Sequence, residues 1–210
     1  MSDIKQEATL NKQPIPVPIG GVKKILFQME NSICRICHEN GKTGTGFFCY
    51  IPLFDKTLPF LITNSQVLNE DDIKNKKSIK VTINDQAKEI KIDDTRKKYT
   101  NKDLDITFIE IKPEQDDIND FMELDKDMNK TIESLESEYK KKSIYVIHHP
   151  KGELSVSCGL IENLVEGKTI NYYCDIELGS SGSPILSLKT YKVIGVHFGC
   201  NNKGNFGHLL

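Results

Sequence analysis

Short apolar runs of β-prone residues recur along most of this chain and are separated by polar turns. They lie at residues 47–51, 60–63, 79–83, 90–92, 106–111, 144–147, 154–156, 170–173, 185–186 and 193–198. Several of these runs alternate apolar and polar positions, as strands with one buried face do. The pattern predicts an all-β protein built from many short strands.

Three stretches depart from this pattern. Residues 1–20 are polar and rich in proline, which indicates an extended arm. Four apolar residues between positions 22 and 29 fall at helical spacing and predict a short amphipathic helix. Residues 113–142 are rich in Asp, Glu, Lys and Asn, so we expect a connector there, with some helix around residues 128–139.

Strands on both sides of a polar connector suggest two barrels or two sandwiches. The predicted organisation is an arm over residues 1–20, a first β-barrel over 21–118, a connector over 119–142 and a second β-barrel over 143–210.

Composition narrows the classes of function. The chain has 210 residues, 38% of them hydrophobic, and a formal net charge of -2. A chain without a basic excess is not expected to bind nucleic acid or an anionic membrane through a global field. No apolar run reaches the length of a membrane span, and the N-terminus lacks the apolar core of a signal peptide. We therefore expect a cytoplasmic protein with no membrane or nucleic-acid partner.

The cysteines do not force a cofactor. There are six, at positions 34, 37, 49, 158, 174 and 200. Without a secretion signal, reduced thiols are the default expectation. Cys34-x-x-Cys37 followed by His38 is compatible with haem attachment or with half of a zinc site, but no second ligand pair stands at similar spacing. Two thiols at the start of a strand explain the string equally, and we predict no cofactor and no metal.

One polar motif carries candidate chemistry. Residues 179–184 read Gly-Ser-Ser-Gly-Ser-Pro, between two β-prone stretches. Glycines at 179 and 182 allow a tight turn around Ser181 with its backbone N–H groups aimed one way. Such donors can stabilise negative charge that develops on a carbonyl oxygen. A small-residue hairpin turn is the structural alternative.

Four further motifs accompany this turn in a definite order along the chain. They are Gly44-Thr45-Gly46-Phe47-Phe48, Thr63-Asn64-Ser65-Gln66-Val67, Asp105-Ile106-Thr107-Phe108-Ile109 and Val193-Ile194-Gly195-Val196-His197. Together with residues 179–184 they resemble the trypsin-like serine peptidases, and among these the glutamyl-endopeptidase-like branch, over about residues 43–210. The resemblance implies a chymotrypsin-like fold of two antiparallel six-stranded β-barrels with the active site in the cleft between them.

The resemblance also implies roles for single residues. Ser181 matches the nucleophile, and Asp105 matches the acid that orients the base, with Asp103 as the less favoured alternative. The backbone N–H groups of Gly179 and Ser181 match the oxyanion hole. The position of the general base falls on Gln66, where the family has histidine.

This replacement decides the functional expectation. A serine hydroxyl is a weak nucleophile until a neighbouring base accepts its proton. A glutamine amide can form a hydrogen bond with Ser181 but cannot carry a proton at neutral pH. Loss of a triad histidine costs on the order of a million-fold in kcat. We therefore expect an impaired or inactive peptidase that still holds a peptide or protein segment in its cleft. An active serine endopeptidase working through Ser181 is the alternative, and a pure interaction scaffold is a third reading.

Other histidines do not restore the base in sequence terms. Those outside the matched position are His38, His148, His149 and His208. The fifth, His197, corresponds in the resembling branch to a histidine that helps to bind an acidic side chain, although a buried structural histidine is equally expected. Asp175 lies six residues before Ser181, where a buried carboxylate would favour a basic side chain. Both residues are predicted to bind substrate or to pair with each other.

Overall fold

A computed structural model of the protein describes residues 13–37, 41, 43–53, 55–125, 132–165, 168–202 and 204–210. The described strands of the N-terminal half are β1 (Ile33–Cys37), β2 (Thr43–Leu53), β3 (Lys56–Thr63), β4 (Ser78–Ile83), β5 (Gln86–Lys91), β6 (Lys98–Asn101), β7 (Ile106–Glu110) and β8 (Met122–Glu123). Those of the C-terminal half are β9 (Ser143–His148), β10 (Ser155–Val165), β11 (Thr169–Tyr173), β12 (Pro184–Ser187), β13 (Val193–Asn201) and β14 (Gly204–Leu209). The helices are α1 (Ile19–Asn31), α2 (Glu70–Asn75), α3 (Pro113–Asp116) and α4 (Ile132–Tyr139).

The C-terminal half is a closed barrel. Its six strands follow the order β10-β11-β14-β13-β12-β9, and every pairing is antiparallel. Branched and aromatic side chains fill the interior; among them are Ile144, Val146, Ile161, Ile170, Tyr172, Ile185 and Ile194. The predicted six-stranded antiparallel barrel is confirmed for this half.

The N-terminal half is an open, half-barrel sheet. Its strands follow the order β5-β4-β1-β2-β3-β7-β6, and β8 adds a short parallel pairing to β2. The prediction of a second closed, wholly antiparallel six-stranded barrel is therefore wrong for this half. Within the described residues, β5 and β6 remain the two edges of the sheet.

Polar side chains hold the segment that joins the two edge strands. The segment between β5 and β6 turns through Asp93, whose carboxylate accepts a hydrogen bond from the backbone N–H of Thr95 at 2.9 Å. The next residue, Arg96, forms two bonds with the carboxylate of Asp116, at 2.7 and 3.0 Å. Polar contacts therefore fix the segment that links the two edge strands.

An apolar layer joins the two halves. It includes Phe47, Cys49, Ile62 and Ile106 from the open sheet, and Tyr145, Ile147, Leu186 and Val196 from the barrel. All of these residues are buried. The layer brings the start of β2 and the end of β3 close to the turn that precedes β12. The start of β7 follows Asp105, so the motifs with candidate chemistry lie on this side of the layer.

The predicted N-terminal helix is confirmed as α1. Its Gln28 connects the helix to the barrel: the side-chain N–H donates to the carbonyl of Tyr191 at 2.8 Å, and the hydroxyl of Tyr145 donates to Gln28 Oε1 at 2.6 Å. Gly21 faces the ring of Tyr191 so closely that a Cβ would overlap it. Of the helix expected around residues 128–139, α4 forms the described part, and residues 126–131 lie outside the described residues.

The cysteine string lies on β1 with its two thiols in different surroundings. Cys34 is buried and Cys37 is exposed, and both are free thiols. Burial raises the pKa of Cys34 far above its usual range. His38 lies outside the described residues. Within the described part of the chain, no group of three His, Cys, Asp or Glu side chains is placed to hold a metal, and no helix is long and apolar enough to cross a membrane.

Breaking the buried ion pair is expected to destabilise the protein strongly. The side chains of Arg96 and Asp116 are 0% and 2% exposed, so Arg96→Met leaves a buried carboxylate without its partner, at a cost of about 3–5 kcal/mol in the free energy of unfolding. Lys74→Met is the matched control because it breaks an exposed pair with Glu70, and exposed ion pairs contribute little to stability. Urea unfolding measures both, and equal small losses would contradict the structural role given to Arg96.

Candidate active site

Asp105 is held by the turn that carries Gln66. The carboxylate accepts hydrogen bonds from the Ser65 hydroxyl at 2.7 Å, from the backbone N–H of Gln66 at 2.9 Å and from Gln66 Nε2 at 2.7 Å. The backbone carbonyl of Asp105 accepts a fourth bond from Asn64 Nδ2 at 2.7 Å. Its φ of 43° lies in the left-handed region, which Asp tolerates better than most residues. Asp105 is therefore bound on several sides by neutral donors.

The orientation of the Gln66 amide follows from its two acceptors. Nε2 donates to the Asp105 carboxylate at 2.7 Å and to the carbonyl of Phe198 at 3.0 Å. An amide nitrogen has two hydrogens, so both are used. Oε1 has no hydrogen-bond partner among the described residues and remains a fixed acceptor. Gln66 is exposed and borders a cavity of about 610 Å³ that also touches Asp105 and Lys102.

The turn around Ser181 needs its glycines. Gly179 and Gly182 have φ values of 100° and 87°, in the left-handed region. A Cβ at Gly179 would overlap the carbonyl oxygen of His149, and a Cβ at Gly182 would overlap that of Thr45. Both the conformation and the close backbone approach explain the glycines that the motif shows.

The peptide group before Gly179 has a defined direction. The carbonyl of Leu178 accepts a hydrogen bond from the backbone N–H of Lys151 at 2.9 Å. Because a trans peptide carries its C=O and N–H on opposite sides, the N–H of Gly179 points away from Lys151. That N–H finds no acceptor in the described part of the chain.

The peptide group before Ser181 is oriented in the same manner. The carbonyl of Ser180 accepts bonds from the backbone N–H of Ser183 at 3.1 Å and from its hydroxyl at 2.6 Å. The N–H of Ser181 therefore points the other way, and it too is without an acceptor among described residues. The turn thus offers two unused N–H donors on either side of Ser180.

Thr45 joins this turn to the open sheet. Its backbone N–H donates to the carbonyl of Ser181 at 2.9 Å, and its hydroxyl donates to the carbonyl of Gly179 at 2.9 Å. The hydroxyl also accepts the backbone N–H of His149 at 3.1 Å, while the carbonyl of Thr45 accepts the hydroxyl of Thr63 at 2.8 Å. The middle of the Gly-Thr-Gly motif therefore positions the serine turn.

The structure brings Asp105 and Gln66 together, but it shows no hydrogen bond from either of them to Ser181. Ser181 is partly buried, and its hydroxyl has no partner among the described residues. Asp103 likewise has no contact with Gln66 among the described hydrogen bonds and ion pairs. Of the two candidate acids, only Asp105 contacts the candidate base position.

The ring of His197 forms its hydrogen bonds with other residues of the barrel. Its Nδ1 lies 2.7 Å from the hydroxyl of Tyr172, and the backbone carbonyl of Phe206 accepts a further bond from the ring. The side chain is 3% exposed, and burial lowers its pKa to about 4, with a further lowering by His148. Asp175 is exposed and forms no described hydrogen bond with His197, so the predicted pairing of the two is absent from the described contacts.

The remaining described histidines have other partners. His148 lies between the hydroxyls of Ser180 and Ser157, and His149 Nδ1 lies 3.3 Å from the hydroxyl of Thr45. His208 stacks on the Phe198 ring, with centroids 4.3 Å apart. None contacts Ser181 through a described hydrogen bond, and His38 is outside the described residues.

Several site residues were not predicted from sequence. Thr45 lies in the motif Gly44-Thr45-Gly46, and its position between two glycines is the feature of the sequence that could have indicated its role. No local signal marked Phe198 as the second acceptor of Gln66, Tyr172 as the partner of His197, or His148 as the partner of Ser180. Their contacts join strands that are distant in the chain.

Comparison with known proteins places this geometry in a family. The model of the trypsin-like peptidase domain matches residues 44–196. No curated protein sequence matches the chain significantly.

Solved structures share the fold. A serine endoprotease from Yersinia pestis has a TM-score of 0.65 at 14% identity, over 92% of this chain and 64% of that chain. The active form of the Rv3671c protease from M. tuberculosis has a TM-score of 0.62 at 15% identity, over 100% of this chain and 89% of that chain. A human pathogenic astrovirus serine protease has a TM-score of 0.57 at 20% identity, over 85% and 89%. Identities this low show the fold alone, and this chain spans less than two thirds of the Yersinia protein.

The buried state of His197 predicts a specific pH dependence. Its pKa is about 4 in the folded protein against an ordinary 6.5. Above pH 6.5 the ring is neutral in both states, and as the pH falls towards 4 the unfolded state takes up the proton first. About 3 kcal/mol of the free energy of unfolding is therefore lost across this window.

His197→Gln removes this titration while it keeps an acceptor for Tyr172. Urea unfolding between pH 7 and pH 4.5 should show a steeper loss for the unmodified protein than for the variant. The control is His208→Gln, at a partly buried position, which should change the profile less. Parallel profiles for the unmodified protein and His197→Gln would refute the assignment.

Proposed function

We infer the function from one premise: this chain belongs to the trypsin-like peptidase family. We propose that it is a catalytically impaired or inactive member, which binds a peptide or protein segment in the cleft between the open sheet and the barrel. The observation that carries the proposal is the pair of bonds from Gln66 Nε2 to Asp105 and Phe198.

In this proposal each residue keeps a family role. Ser181 stands at the nucleophile position and Asp105 at the acid position. Gln66 stands at the position of the base, because its Nε2 donates a hydrogen bond to Asp105 as the imidazole does in a complete triad. The unused N–H groups of Gly179 and Ser181 form the oxyanion hole.

The chemistry of the amide limits turnover. To attack a carbonyl, Ser181 must pass its proton to a neighbour that later delivers it to the leaving amine. Gln66 Oε1 can accept a hydrogen bond, but the amide is not basic enough to hold the proton at neutral pH. The described histidines 148 and 149 are bonded to serine or threonine hydroxyls, which supports the absence of a substitute base.

What persists is the capacity to bind. Two N–H donors can hold a carbonyl or carboxylate oxygen, and Gln66 Oε1 offers a fixed acceptor to an N–H or O–H of the ligand. We assign the chain to the glutamyl-endopeptidase-like branch as part of the same proposal. The histidine of that branch is present as His197, but its bonds to Tyr172 and Phe206 favour a structural role over recognition of an acidic side chain.

An active serine endopeptidase is the second candidate. The intact serine turn with its two unused N–H donors favours it. It needs a base that the described contacts do not provide, so it ranks below the impaired peptidase.

Labelling by a fluorophosphonate probe separates the two candidates. We expect slow labelling of the unmodified protein, none in Ser181→Ala, and an increase on the order of 100-fold or more in Gln66→His, because the new imidazole can accept the serine proton. Gln86→His, at an exposed position on β5, is the matched control and should leave the rate unchanged. Rapid labelling of the unmodified protein would establish the active peptidase, and no gain in Gln66→His would refute the base assignment.

Binding in the cleft can be tested on an immobilised library of random dodecapeptides. Gly199 follows Phe198 directly and faces open space, so Gly199→Tyr should place a ring beside Gln66 without disturbing the strand. We expect peptides bound by the unmodified protein to lose about tenfold or more in affinity. Gly20→Tyr, also in open space but on α1, is the control. Equal binding by all three proteins, or no bound peptide at all, would count against a binding cleft.

A further inference from the structure

Three hydrogen-bonded side chains, of which His148 and Ser180 are buried, link the serine turn to the barrel. His148 Nδ1 lies 2.6 Å from the Ser180 hydroxyl, and Nε2 lies 3.0 Å from the Ser157 hydroxyl. His148 is 2% exposed and Ser180 is 1% exposed. These hydrogen bonds connect the end of β9 and the first residues of β10 to the serine turn.

Ser180 is the residue that separates the two unused N–H donors. Its backbone torsions set the direction of the N–H of Gly179 relative to that of Ser181. Glycine adopts many backbone conformations, so the two glycines of this turn do not define a single arrangement by themselves. External contacts must do so.

The contacts that hold the turn act mostly on backbone carbonyls. Thr45 binds those of Gly179 and Ser181, and Lys151 binds that of Leu178. The backbone N–H of Ser180 donates to Glu177 at 3.2 Å, a long bond. At the centre of the turn, the side chain of Ser180 is held through the hydrogen bond between its hydroxyl and His148.

We propose that His148 is a positioning residue, which acts through the Ser180 hydroxyl to keep the N–H groups of Gly179 and Ser181 aimed at one oxygen of a bound ligand. The identity of the ligand rests on the function proposed above, whereas the positioning does not. The burial of both side chains excludes a second nucleophile–base pair, since no substrate reaches Ser180.

The protonation of the ring is consistent with this role. Burial lowers the pKa of His148, while the carboxylates of Asp175 and Glu177 raise it. A neutral imidazole has one donor and one acceptor nitrogen, and a serine hydroxyl can serve as either partner. Either tautomer of His148 can therefore form hydrogen bonds with both Ser180 and Ser157.

Two substitutions of similar polarity separate positioning from mere support of the fold. His148→Asn places an amide near the Nδ1 position, so it can still reach Ser180 but not Ser157. His148→Gln places its amide near the Nε2 position, so it can reach Ser157 but not Ser180. Ser180→Ala removes the same contact from the other side and should behave as His148→Gln does.

Amide hydrogen exchange on the full chain measures how stably the turn keeps its hydrogen bonds to its neighbours. The N–H groups of Lys151 and Thr45 report it, because they are bonded to the carbonyls of Leu178 and Ser181. We expect exchange at both sites to accelerate by about tenfold or more in His148→Gln and Ser180→Ala, and to stay close to the unmodified protein in His148→Asn. Amides of β7 should not change in any of them.

A second readout concerns what the turn binds. In the Gln66→His background, fluorophosphonate labelling of Ser181 should fall by about tenfold with His148→Gln and recover with His148→Asn. Absence of labelling in that background speaks against the proposed function and leaves the exchange result to decide the positioning. Equal exchange in the Asn and Gln variants, or faster exchange throughout the barrel, would overturn the proposal.

Discussion

The site depends on the hydrogen bonds by which Thr45 holds the serine turn. The turn belongs to the barrel, yet its carbonyls at Gly179 and Ser181 are bound by a residue of the open sheet. Two glycines leave the turn free to adopt other arrangements, so contacts from outside the turn, those of Thr45 among them, are needed to orient it. Thr45 also accepts hydrogen bonds from the hydroxyl of Thr63 on β3 and from the backbone N–H of His149 in the barrel. The cleft is therefore organised only when both halves are packed together.

The pairing of Gln66 with Asp105 gives the cleft its chemical character. An acid beside an imidazole stabilises the charge that the ring acquires during catalysis. Here the carboxylate is bound by neutral donors, namely Ser65, the backbone of residue 66 and the amide of Gln66. The amide nitrogen is held by two acceptors, and the amide oxygen has no hydrogen-bond partner among the described residues. The proposal of an impaired peptidase rests on this arrangement, because an amide can accept a hydrogen bond but does not carry a proton at neutral pH.

The first half of the chain shows where strand patterns are insufficient. Alternation predicted strands correctly as local elements, but closure depends on whether two edges meet after several intervening strands. In this protein β5 and β6 are joined by a short segment that turns at Asp93 and is held by the buried pair of Arg96 with Asp116. The sequence shows these residues but not their pairing, because a charged residue in a polar stretch more often faces solvent. His197 is similar, since its partners Tyr172 and Phe206 come from two other strands.

The sequence by itself determined the strand-rich architecture, the glycine turn around Ser181, the order of the motifs and the presence of glutamine at position 66. These follow from local properties: side-chain alternation, backbone freedom and residue chemistry. Tertiary structure alone decided that Gln66 meets Phe198, 132 residues away, that Thr45 meets His149, 104 residues away, and that His148 meets Ser180. Hydrogen bonds between residues so distant in the chain depend on how the sheet and the barrel pack, and no local pattern encodes that distance.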